Sequence, residues 1–128
     1  MRKWDLREKL LFYEHMPVSS HRMKASRLIS HVVRAERLPG VYLLILSNHP
    51  GDWMEIVSCG HGLGWYALTD QKARVIGIVE GKKEAYRLMG EILLEMIHAG
   101  VDPGEHYSDQ VFLTSKEWKR RLRHGNAG

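Results

Sequence analysis

Thiols are nearly missing from these 128 residues: Cys59 stands alone. One thiol can form no internal disulfide and no cysteine-rich zinc site, which removes disulfide-stapled miniproteins and zinc fingers from consideration. Long apolar runs are missing too. The longest, Val41 to Leu46, falls far below the roughly 20 residues of a membrane-spanning helix. The first residues, Met1-Arg2-Lys3-Trp4-Asp5, lead into no apolar signal-peptide core, so the expected setting is the cytoplasm and no membrane partner is expected. No internal repeat, low-complexity tract or linker interrupts the chain. What remains is an ordinary globular composition, 44% apolar and 27% charged, long enough for one domain over residues 1–128.

Lys and Arg are absent from one long stretch. Between Pro39 and Gln71 there is none, against Asp52, Glu55 and Asp70. The net charge of +4 therefore divides into +5 over Met1–Leu38, −5 over Pro39–Gln110 and +4 over Val111–Gly128. Basic ends either hold an anionic partner or lie against the acidic middle, within one chain or between two copies; the second reading needs less and is the expectation here.

Of what is present, the clearest element runs from Lys82 to Ala99. Ala85, Leu88, Met89, Ile92, Leu93, Met96 and Ile97 recur at helical spacing, and Gly100, Val101 and Pro103 write its stop. Gly90 lies inside it, where close approach of another backbone would explain it, and Leu94 falls off the apolar stripe. Arg74–Glu80 and Val41–Ser47 read as buried strands. Leu28–Glu36 fits both periods, and its β-branched residues favour a strand joined to Val41–Ser47 by an Arg37–Gly40 hairpin. Trp53–Val57 reads as a short helix capped by Asp52, Trp65–Thr69 as a short strand, and the first fifteen residues as a helix carrying Leu6, Leu10 and Tyr13. Thr114 and Glu117 have capping-box spacing, opening a last helix in which Trp118 and Leu122 share a side. The expected fold is α+β (or α/β): a two-layer sandwich, a small mixed sheet with helices packed on one face.

Two groups of residues are candidates for function. His49, Asp52, Cys59 and His61 bring imidazole, carboxylate and thiol into one turn-rich stretch between Asn48 and Gly64, where a small ligand could be held. Their spacing matches no metal motif, so no metal or other cofactor is expected. Cys59 is expected at a helix C-terminus, which disfavours a thiolate, and no oxyanion-hole signature accompanies it, so no catalytic residue is assigned. Gly60, Gly62 and Gly64 do not sit between a strand and a helix start, as a phosphate loop would. The second group is Lys116, Lys119, Arg120, Arg121 and Arg123 on the last helix, with Trp118 available for stacking and Arg22, Lys24 and Arg27 upstream. No helix-turn-helix or RNP-like signature goes with them.

The leading expectation is a non-catalytic module that acts through protein contacts and self-associates, on the strength of Leu94, Trp53, Met54 and the opposite charges of ends and middle. The alternatives are a nucleic-acid-associated protein using its basic ends, and a metal binder or small enzyme centred on residues 48–64.

Overall fold

The structure is a computed structural model; it describes residues 5–47, 53–60, 62–63, 72–102, 105, 107 and 111–124. Among these it forms an α+β fold: a mixed sheet and three helices. The strands are β1 (Leu10–Tyr13), β2 (Val18–Ser19), β3 (Val41–Leu46), β4 (Met54–Ser58), β5 (Ala73–Glu80) and β6 (Phe112–Thr114). The helices are α1 (Ala25–Val33), α2 (Lys82–Ala99) and α3 (Ser115–Arg123). The sheet order is β4-β3-β5-β1-β6, with β2 continuing along the β5 edge that β1 uses. β1 and β2 run parallel to β5; the remaining pairs are antiparallel.

β3 and β5 are apolar on both faces because both faces are covered. Val41, Leu43 and Ile45 join Leu10 and Phe12 of β1, Leu28, Ile29, Val32 and Val33 of α1, and Trp118 of α3 in one core. Leu44 and Leu46 join Ala85, Ile92 and Met96 of α2 in a second core on the opposite face. The mixed sheet is as expected, but the expectation of helices on one face is corrected: α1 and α3 lie on one side and α2 on the other. β5 carries a bulge. Leu44 pairs with Gly77 and Ile45 with Val75, leaving Ile76 as the extra residue. Ala73 and Val75 face α1 before the bulge, and Ile78 faces it afterwards, so odd positions give way to even ones within one strand. Gly77 sits under α2, where a Cβ would approach Leu88 Cδ2 to 3.0 Å.

Three further expectations are corrected. Leu28–Val33 is helix, not strand: adjacent Leu28 and Ile29 are both fully buried on one side, as are Val32 and Val33, which strand alternation forbids. The Arg37–Gly40 segment accordingly links a helix to β3 instead of turning a hairpin. The N-terminal helix is a single turn, in which Leu10 N–H donates to Leu6 O at 2.9 Å, followed by β1; turn and strand together set Leu6, Leu10 and Phe12 on one core. Trp53–Val57 is not helical: β4 is registered against β3 from Met54 with Leu46 to Ser58 with Tyr42. On α2, Ile92 and Met96 are buried as expected, whereas Leu93 is only partly buried and Ile97 is 59% exposed. The α2 stop is as read: Gly100 is left-handed, and Gly100 and Val101 donate to Ile97 O and Met96 O. Trp65–Thr69 lies outside the described residues.

Candidate functional site

Of the first candidate group, His49, Asp52 and His61 lie outside the described residues, so Cys59 carries the test. It follows β4 directly, its N–H donating to Val41 O at 3.0 Å, and is therefore not at a helix C-terminus. The thiol is buried and its Sγ donates to Glu36 O at 3.3 Å. Burial foremost, with the Glu36 charge behind it, pushes the thiol up to about 12, although a backbone hydrogen bond with Leu38 opposes the shift. The neighbouring glycines serve packing. A Cβ on Gly60, whose φ is +104°, would stand 2.8 Å from Arg37 Cα, and one on Gly62 would stand 2.5 Å from Val57 Cγ1. Among the described residues no group of three or more His, Cys, Asp or Glu side chains could hold a metal. At about pH 8.5, where an ordinary thiol is half ionised, Cys59 in the folded protein is expected to alkylate roughly a thousandfold more slowly than in denaturant. Timed iodoacetamide labelling followed by mass spectrometry reads this; equal rates would place the thiol at the surface.

The second candidate group is brought together in part, with three corrections. Thr114 caps α3: its Oγ1 accepts from Glu117 N–H, and its own N–H donates to the Glu117 carboxylate at 2.7 Å, a reciprocal box that starts the helix. Trp118, 2% exposed, then anchors α3 to the core, with Leu122 packed beside it. Trp118 is therefore not available for stacking. Arg121 is not part of the outward face either. It forms an ion pair with Glu14, donates to Glu14 O at 2.8 Å and lies 6.0 Å over the Trp118 ring, tying α3 to the end of β1. That guanidinium holds the Glu14 carboxyl below the usual carboxylate range. Upstream, Arg22 is taken by Glu80 and Pro39 O.

Lys116, Lys119 and Arg123 remain outward and meet residues that the sequence reading did not assign. A cleft of about 750 Å³ is lined by Arg7, Lys9, Thr114, Ser115, Lys116 and Lys119, together with Asp5 and Glu8. A second, about 350 Å³, lies where α1 meets α3 and is lined by Ser26, Arg27, Ser30, Lys116, Lys119 and Arg123. A third, about 320 Å³, adds Arg34 and Val33. Lys119 lines all three. Burial, then repulsion from Arg34 and Arg7, holds its ammonium below the usual lysine value, against the opposing pull of Asp5. The carboxylates of Asp5 and Glu36 answer Arg7 and Arg34, while Arg27, Lys116, Lys119, Arg120 and Arg123 enter no ion pair among the described residues.

The two basic ends thus share one face. Among ion pairs between described residues, Arg22 with Glu80 joins an end to the acidic middle, but Arg121–Glu14, Arg7–Asp5 and Arg34–Glu36 stay within the ends. The charge count held the signal for this face. Locating Arg27, Ser30 and Arg34 beside α3 required knowing that α1 is a helix. No family model, curated protein or solved structure matches this chain.

Proposed function

We propose that this chain is a non-catalytic binding module whose α1–α3 face holds the phosphate backbone of nucleic acid. One observation carries the reading: basic residues from the two ends of the sequence are gathered around Lys119, along clefts that adjoin one another, where Arg27, Lys116, Lys119 and Arg123 form no ion pair among the described residues. Concentrating like charge costs free energy unless an anion offsets it, and a row of phosphates releases counterions as it does so. Hydroxyls of Thr114, Ser26 and Ser30 line the same clefts and suit phosphate oxygens. No aromatic side chain lines them among the described residues, and Trp118 is buried, so the base-stacking mode of single-strand binders is disfavoured and duplex is the preferred form. The basic ends serve a partner rather than the acidic middle.

The test is a fluorescence-anisotropy titration of a duplex of arbitrary sequence across a salt series. Binding in the micromolar range at about 0.1 M salt is expected, with log K falling against log[salt] at a slope near −4.5, as about five phosphate contacts require. Lys116→Gln with Lys119→Gln should lower the affinity at least tenfold and reduce that slope by about 2. Absence of binding at about 50 mM salt, or a slope near zero, overturns the reading.

A further inference from the structure

α2 carries two apolar stripes, and the fold uses one. Ala85, Ile92 and Met96 are buried against the sheet. On the opposite side of the same helix Tyr86, Leu94 and Ile97 are 57%, 57% and 59% exposed, and Val101, just past its end, is 39% exposed. Gly90 sits in the middle of this outer stripe. A Cβ there would meet nothing within 4 Å, so nothing among the described residues requires glycine at a position where alanine would favour the helix. A second helix laid across the stripe does require it, because the missing Cβ lets two backbones approach.

We infer that the occupant is a second copy of this chain, with α2 packed antiparallel on α2 about a two-fold axis at Gly90. The residues of the stripe are self-complementary under that operation: Tyr86 and Leu94 lie four residues either side of Gly90, so each tyrosine meets the other copy's leucine. The charges are self-complementary too. With Arg87 paired to Glu84 and Glu91 within its own helix, Lys82 and Lys83 leave the first turn of α2 positive and Glu95 leaves the second half negative, and antiparallel packing sets each part against its opposite. A parallel pairing would oppose like with like. The exposed stripe with its Lys83 and Arg87 flanks offers roughly 600 Å² per copy, near the lower limit of a specific two-fold interface, so association in the micromolar range is expected. α2 lies on the face of the sheet opposite α1 and α3, so the dimer does not depend on the nucleic-acid reading and leaves both basic faces outward.

Sedimentation equilibrium at about 100 μM should give twice the chain mass, and Leu94→Glu should return it to the monomer mass; at concentrations low enough for both proteins to be monomers their melting temperatures should agree, since Leu94 is exposed in the single chain. Orientation is read by crosslinking in a Cys59→Ser background: Tyr86→Cys and Leu94→Cys proteins, mixed and oxidised, should join to each other in preference to themselves. A wild-type monomer at that concentration overturns the inference and assigns the stripe to a partner of other sequence. A dimer that survives Leu94→Glu, or Tyr86→Cys joining mainly to itself, also overturns it.

Discussion

Phe12→Ala is expected to lower the unfolding free energy by about 3–5 kcal/mol, as removal of a fully buried aromatic ring does. Phe12 has no exposed surface and sits at the middle of β1, registered against Val75 of β5 on one side and Leu113 of β6 on the other. Its ring faces the core that α1 and α3 cover, so the cavity would open where three elements meet and none can close it alone. The whole stability of an ordinary domain is about 5–15 kcal/mol, which makes this substitution a large fraction of the total. Urea unfolding followed by circular dichroism measures it, with Leu11→Ala on the opposite face of the same strand as the reference. A loss below about 1 kcal/mol for Phe12→Ala would mean that β1 is not part of the core.

Trp118 gives the second large effect, and a contrast that separates its shape from its polarity. Trp118→Ala is expected to cost about 3–5 kcal/mol. Trp118→Phe should cost less than about 1.5 kcal/mol, because the indole Nε1–H is buried with no hydrogen-bond partner among the described residues and its removal relieves a desolvation cost of about 1–3 kcal/mol that offsets the lost ring area. The pair also reports on the proposed interface. Trp118 bears no charge and lines none of the three clefts, yet it is what presses α3 into place next to α1. Alanine there should weaken duplex binding along with stability, while phenylalanine should leave the salt slope unchanged. A Trp118→Phe protein as unstable as Trp118→Ala would show that the indole nitrogen has a partner.

The elements legible in the sequence are those whose local signals agree with their tertiary surroundings. β3, β5, α2 and the Thr114–Glu117 box are of this kind: continuous apolar runs for strands covered on both faces, helical spacing for α2, and reciprocal caps. α1 was hidden by its ending. Ala35 takes the left-handed position, φ +51°, that glycine ordinarily fills, and the Ala35 and Glu36 N–H groups donate to Val32 O and His31 O to close the helix. With no glycine to announce a stop and with β-branched residues in the run, the pattern resembled a strand. β1 was hidden because one helical turn leading into a strand imitates a longer helix. β4 was hidden because Met54, Ile56 and Val57 fit a short helix as readily as an edge strand. At the candidate interface, the abundance of positive charge at both ends was countable. Nothing local separates Arg121 from Arg120; the difference lies in Glu14, on the far side of the sequence.

The place of β1 in the sheet governs the order in which the molecule can assemble. Leu10 pairs with Ala73 and Leu11 with Thr114, so the strand that begins the described fold finds both its neighbours in later parts of the chain. During synthesis the β3–β4 hairpin can close first and β5 can add to it. β1 waits until β5 has emerged, and its outer edge waits for β6. α3, which follows β6 directly, docks last, and with it arrive Lys116, Lys119 and Arg123. A chain halted before residue 112 would carry its first basic segment in full and still lack the clefts around Lys119, which tie the proposed polyanion surface to completion of the fold.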